Sequence, residues 1–467
     1  MTRLQDRSGR TDPEPDGLPM PQRGWAILTV ALAITLAVLD SAIANVALPT
    51  IARDLQASPA ASIWVVNAYQ LVITISLLPL ASLGEIFGYR RVYQVGLAVF
   101  TLASAACSLS DSLLTLTLAR VIQGFGAAGI MSVNTALVRF IYPRASLGRG
   151  IGINALVVAI AAATGPTIAA AILAVAPWPF LFLVNVPIGA VAFVIAARSL
   201  PRTPRSPHRF DLRSAALNAV ALGLLITAID GLGHQEAGTS VALEFAAAFA
   251  AGTLLVRRQL ALPNPLLPVD LLRIPMFSLS LATSVASFAA QMLAFVSLPF
   301  CLQDVLGRSQ VATGLLLTPW PATIAVVAPI AGRLADRYSA GILGGIGLAV
   351  LAAGLALLAT LGAHPGDVAI GWRTALCGAG FGLFQAPNNR AIISAAPRSR
   401  TGGASGMLGT ARLLGQTTGT AVVALIFGLA PRSGTVLALI VAACCGAIAA
   451  AVSLLRLSRR ADPTRVA

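Results

Sequence analysis

The chain has 467 residues, of which 57% are hydrophobic and only 10% charged, and this balance excludes the soluble globular classes. Its 32 basic residues are all arginine and exceed the 17 acidic ones by 15. No basic cluster interleaved with aromatics sits in a polar domain, so nucleic acid is excluded as a partner and the charge calls for a topological explanation.

Residues 1–23 are polar and mixed in charge. They contain no short apolar core followed by a cleavage site, so the first helix is expected to act as the membrane-targeting signal itself. Runs of roughly 17 to 25 apolar residues then mark spanning helices, expected at 25–48, 61–82, 92–109, 112–137, 150–173 and 179–198. An Arg-rich break precedes 214–231 and 239–256, and six more follow at 276–300, 311–331, 341–361, 368–389, 403–429 and 434–455. The expected architecture is all-α and polytopic: fourteen spans arranged six, two and six. A cytoplasmic tail (1–23), a six-helix bundle (24–198), a linker with two inserted helices (199–258), a second bundle (259–456) and a tail (457–467) divide the chain.

Loop charge supports the count. Arg53, Arg308 and Arg432 fall on one side and Arg120, Arg373 and Arg412 inside helices, while all other arginines fall on the opposite side. By the positive-inside rule that side is cytoplasmic, with both termini. The bundles also repeat. Glu85 in "SLGEIFGYRR" matches Asp336 in "GRLADRY", 251 positions on, while Gly124, Gly126, Asn134 and Gly165 match Gly378, Gly380, Asn388 and Gly419, each 254 on. Duplicated six-helix units with a path between them are the plan of an alternating-access transporter.

There is no phosphate-binding loop, no HExxH and no GxSxG, and His208, His234 and His364 are scattered in loops; ATP-driven pumping and hydrolysis are disfavoured. Cys107, Cys301, Cys377, Cys444 and Cys445 lack disulfide or metal-ligand spacing, so no metal is expected. Ionisable residues inside spans remain, each costing about 2.5 to 3.5 kcal/mol or more if exposed to lipid. Asp40 lies roughly 24 Å into the first span, on a face shared with Ala33, Ala37, Ala44 and Ala47. It reads either as a cavity-facing acid that loads and releases protons or as a local pairing partner on a close-packing face. Arg120 and Asn134 share a face of the fourth span, beside Gln123; Arg120 is a charge partner for an acid or a structural bond. Gly165 and Pro166 kink the fifth span. Glu85 and Arg90 suit a charge latch across helix ends, and Asn45, Gln291, Asn388 and Gln416 are candidates to line a path or to bond between helices.

"LDSAIANVALP", "LGEIFGYRR", "ARVIQGFGAAG", "ATGPTIAA" and "WPFLFLVNVPIG" together resemble the successive signatures of the major facilitator superfamily, specifically its fourteen-helix drug:proton antiporters. The resemblance implies that Asp40 binds protons or cationic drug and that Arg120 takes part in proton transfer. It further implies that Gly165 and Pro166 form the antiporter kink and that Glu85, Gly88 and Arg90 form the conformational latch, to which the internal repeat adds Asp336 and Arg337 in the second half. Glu85 stands where that family usually has Asp, Ile86 and Tyr89 where it has Arg, and Ala161, Ala169 and Ala170 where it has Gly.

The expected function is export of amphipathic drug-like molecules in exchange for protons across a bacterial inner membrane. The chain would work as a monomer driven by the proton gradient without a cofactor. The alternative is a narrow exporter of an amino acid, sugar or siderophore, and a transport-dead sensor is a more distant rival.

Overall fold

The computed structural model describes residues 16–143, 146–203, 205, 210–233, 238–262, 265, 267–362, 364–397 and 400–458. Most of both tails, His208, His234 and the loop arginines 144, 209 and 398 lie outside the described residues.

Among the described residues every regular element is helical. The first half comprises α1 (Gln22–Asp54), α2 (Pro59–Ser62), α3 (Trp64–Phe87), α4 (Tyr89–Ser108), α5 (Leu113–Ile141), α6 (Leu147–Val175), α7 (Pro179–Leu183) and α8 (Asn185–Ser199). The hairpin α9 (Leu212–Gly233) and α10 (Gly238–Ala261) follows. The second half comprises α11 (Pro275–Phe300) with a π turn at Cys301–Val305, α12 (Gln310–Leu317), α13 (Pro319–Leu334), α14 (Ala340–Ala359), α15 (Asp367–Ala395), α16 (Thr401–Leu429) and α17 (Gly434–Ser458). The break between α12 and α13 falls at Thr318, ahead of Pro319 and Pro321, which bring no N–H to the ladder.

Among the described residues twelve segments are long and apolar enough to cross a membrane, against the fourteen expected from hydropathy and loop charge. The other two expected spans, the third and the twelfth, are occupied by α4 and α15. They are polar for their length: α4 opens on Arg90, Arg91 and Gln94, and α15 carries Arg373, Gln385, Asn388, Asn389 and Arg390.

The halves are built alike. α1 packs on α6 and α8 as α11 packs on α16 and α17, and α5 lies against α3 and α4 as α15 lies against α13 and α14. Their backbones meet in the same register. A methyl group added at Gly124 would strike the Tyr69 carbonyl, and one at Gly378 would strike that of Trp320, 251 positions on from Tyr69. Gly126 sits against Gly96 and Phe100, and Gly380 against Gly347 and Leu351, again 251 apart. The 254-residue offset of α5 to α15 and the 251-residue offset of their neighbours are thus both real in space.

The halves meet along α3 with α16, α6 with α12 and α13, and α1 with α11. At the end away from the arginine-rich loops, Gln303 donates to the Val46 carbonyl at 2.9 Å and accepts from Arg53 at 3.4 Å. Thr167 and Thr318 join at 2.8 Å, and Thr74 and Thr417 at 2.9 Å.

Candidate functional site

α1 is apolar almost throughout, and Asp40 lies about 27 Å along it. Ala33, Ala37, Ala44 and Ala47 on the same face are all buried, and their small side chains let neighbouring helices close around the acid. Asp40 is 2% exposed and Arg120 0%. One carboxylate oxygen forms an ion pair with Arg120 Nη1. The other accepts from Gln123 Nε2 at 2.9 Å and from Asn185 Nδ2 at 2.8 Å. Asp40 is therefore enclosed within the first half rather than facing a cavity, because its alanine face admits α5 and α8 closely enough for their polar side chains to reach it.

The arginine is held as firmly. Its Nε donates to the Val65 carbonyl at 2.9 Å and Nη1 to Gln123 Oε1 at 2.6 Å. Its guanidinium lies 4.0 Å from the centre of the Tyr69 ring and 5.5 Å from that of Phe182, a contact made stronger by desolvation. Tyr69 in turn donates to the Ala37 carbonyl of α1 at 3.0 Å, and Gln123 donates to Ser104 Oγ at 2.9 Å. A carboxylate and a guanidinium out of water would each cost several kcal/mol if left alone, and the pair with its hydrogen bonds offsets that cost. Arg120 Nη2 still lacks a partner among the described residues.

The structure thus brings Asp40, Arg120 and Gln123 together. Asn134 lies about 16 Å further along α5 and donates instead to Asn154 at 2.9 Å. Gly165 lies so close to α1 that an added methyl would stand 2.5 Å from the Ala42 methyl, and the Pro166 carbonyl faces Gly314 of the other half. Ala161, Ala169 and Ala170 are buried without glycine's room on their own helix; opposite Ala170, Gly314 supplies it.

Among the latch residues, Gly88 has φ +94°, a left-handed conformation that suits glycine. Arg90 donates to the Ala197 carbonyl of α8, Glu85 is exposed, and Asp336 pairs with Arg390. Arg390, not Arg337, is the partner found for Asp336, since α15 passes beside the turn after α13. Asn45 is buried with its side-chain oxygen lacking a partner among the described residues, Gln291 is buried on α11, and Gln416 is half-buried. Asn388 is bonded to Ser284 at 2.8 Å and to Arg456 at 2.7 Å.

The sequence reading missed Asn185, Tyr69 and Ser104. Asn185 carried a signal: an amide between "PFLFLV" and "VPIG" must find a partner in an apolar span. Tyr69 and Ser104 carried none, because tyrosine and serine are ordinary in membrane helices.

The sequence profile of the Major Facilitator Superfamily matches residues 30–420. The chain is 60% identical over 446 residues to the Uncharacterized transporter YebQ of Escherichia coli (strain K12), covering 95% of this chain and 98% of that one. It is 33% identical to Multidrug resistance protein Stp of Mycobacterium tuberculosis (strain CDC 1551 / Oshkosh), covering 85% and 74%. It is 30% identical to Riboflavin transporter RibZ of Clostridioides difficile (strain 630), covering 86% and 88%. In fold it is similar to the crystal structure of a bacterial homolog of the human lysosomal transporter Spinster, inward-facing and unoccupied, with a TM-score of 0.69 and 17% identity over 96% of this chain and 100% of that one. Family profile, relatives and fold agree: this chain belongs to the Major Facilitator Superfamily and is related to its multidrug exporters.

Proposed function

We propose that the protein is a proton-coupled antiporter that exports amphipathic, cationic or neutral drug-like molecules across a bacterial inner membrane by alternating access. It acts as a fourteen-span monomer with both termini cytoplasmic; α4 and α15 complete the count, because their counterparts in the opposite halves, α14 and α5, are themselves long and apolar enough to cross. The observation that carries the reading is the buried Asp40–Arg120 pair with its amide donors. Gln123 and Asn185 stabilise the carboxylate, so a proton that neutralises Asp40 weakens the bonds tying α1 to α5 and α8. Binding is thereby linked to helix packing, and a ligand that prefers one packing shifts the equilibrium by its differential affinity. Drug and proton compete through Asp40, whether the drug's charge meets the acid itself or only the packing it controls. The Glu85, Gly88 and Arg90 turn, with Asp336 and Arg337, serves as the latch of one conformation, and Gly165 with Pro166 as the antiporter kink.

A proton entering down 100 mV releases about 2.3 kcal/mol, enough for a gradient of a neutral substrate on the order of fifty-fold. A monocation exchanged one-for-one for a proton cancels that charge movement, so only the pH difference drives it. The names of several relatives support a drug-like substrate. The riboflavin transporter among them favours a second reading, a narrow metabolite exporter on the same fold.

Everted vesicles carrying Asp40→Asn test the proposal. Proton-driven dye uptake is expected to disappear, and full coupled uptake by that variant would overturn the assignment. Resistance to many unrelated cationic compounds on overexpression favours drug efflux; export of one metabolite without it favours the second reading.

A further inference from the structure

Each half carries a cavity at its arginine-rich end, beside the turn that links α3 to α4 or α13 to α14, and the two differ in charge. The second-half cavity, about 590 Å³, has Asp336 in its wall along with Arg337, Arg390 and Arg456, and the acid is paired with Arg390. The first-half cavity, about 540 Å³, is lined by Arg90, Arg91, Arg202 and Arg205 with Gln94 and Thr203. Among the described residues no carboxylate lines it. Of the four guanidinium groups, only that of Arg90 has a hydrogen bond among the described residues, to the Ala197 carbonyl.

Four like charges around one cavity repel one another, so the arrangement favours an anion in their midst. The position of the arginines is built rather than incidental. The Tyr89 N–H donates to Thr203 Oγ at 2.9 Å, which ties Thr203, next to Arg202, to the first turn of α4. That helix, Tyr89–Ser108, points its positive N-terminal end at the same place. Beside the cavity, Phe87 and Val95 are large, apolar and exposed, at 52% and 63%. A ligand with an anionic head and an apolar body is served by both surfaces.

We propose that this cavity binds a phosphate-bearing anion, supplied as the headgroup of an anionic phospholipid from the leaflet at the arginine-rich end. The choice of the cytoplasmic leaflet rests on the orientation given under Proposed function, whereas the binding chemistry does not. Arg91, Arg202 and Arg205 supply the free donors, Arg90 is anchored to α8, and Gln94 and Thr203 complete the wall. The acyl chains lie along the Phe87 and Val95 side of α3 and α4.

The test uses the full chain, purified and delipidated in detergent. Phosphatidylglycerol and phosphatidylcholine are titrated separately and bound lipid is counted by native mass spectrometry, while inorganic phosphate is titrated alone by thermal shift. Phosphatidylglycerol is expected to be retained over phosphatidylcholine. Each guanidinium removed should weaken that retention by about fivefold, in Arg205→Gln alone and cumulatively in Arg91→Gln/Arg202→Gln/Arg205→Gln. Arg257→Gln, an exposed arginine on α10 outside the cavity, should leave it unchanged. Stabilisation by inorganic phosphate with the same arginine dependence, without lipid preference, supports the phosphate site and assigns it a soluble ligand. Equal retention of the two lipids with no phosphate effect overturns the proposal, as does a triple variant indistinguishable from Arg257→Gln. Each readout is independent of dye transport, so failure here and failure of the antiport reading are distinguishable.

Discussion

Neutralising Asp40 leaves a guanidinium sealed inside the first half with its counter-charge gone. Breaking a buried ion pair from one side costs about 3–5 kcal/mol, so Asp40→Asn and Arg120→Gln are each expected to lower the melting temperature. The double variant removes both charges and should recover at least half of the loss. Additive losses across the cycle would show that the two residues do not act on each other. Asn185 is a positioning residue in this network. Asn185→Leu removes a donor to the carboxylate and should shift the pH profile of transport while leaving expression intact; Asn185→Asp should not restore it, because a second carboxylate would face the first. Asp40 and Arg120 were legible because a charge in an apolar span stands out against its background. Their enclosure was not, since an alanine face is equally compatible with a cavity wall and with close helix packing, and only the approach of α5 and α8 decides between them.

The helices depend on close approaches that particular glycines allow. Gly126→Val and Gly380→Val place bulk against the backbone of α4 and α14 respectively, and overpacking of this kind typically costs 1–3 kcal/mol or more. Gly223→Ala meets nothing within 4 Å and should stabilise α9 by roughly 0.5–1 kcal/mol. Thermal unfolding in detergent ranks the three, and a Gly126 variant as stable as the parent would refute the packing argument. The inserted hairpin has its own clip. Asp211 caps α9 through the Ser214 N–H at 3.2 Å and pairs with Arg258 of α10 at 2.9 Å. Burial pushes its carboxyl up, but hydrogen bonds from the Ser214 hydroxyl and from Arg258 outweigh this and hold it below the ordinary carboxylate value. The stability it contributes is present above that ordinary value, near 3.9, and lost as pH falls through the lower folded one. Asp211→Ala should remove this acid-side dependence, as followed by proteolysis of the segment between α8 and α9. Hydropathy located most helices to within a few residues, yet α4 and α15, expected as spans from the sequence, are too polar to stand among the twelve described segments apolar enough to cross. Caps and clips escaped the sequence reading because they depend on side chains brought together from different helices.

Across the molecule, polar contacts tie the halves at the end remote from the arginine-rich loops. If that end must part during transport, cross-linking it should arrest the cycle. In a cysteine-free background, Thr167→Cys/Thr318→Cys is expected to form a disulfide and lose transport until reduced; oxidised protein that still transports would show the junction to be static. The repeat that the sequence disclosed proves to be a repeat of backbone contacts, with one difference of length. The connection between α4 and α5 spans residues 109–112, whereas that between α14 and α15 spans residues 360–366. That difference of three residues accounts for the step from an offset of 251 to one of 254. The halves therefore differ by three residues at this bend and keep a single register through α4 with α14 and through α5 with α15. Shortening 360–366 by three residues should make the two connections equal without disturbing the packing of the helices they join, so this bend is a permissive place to insert a reporter.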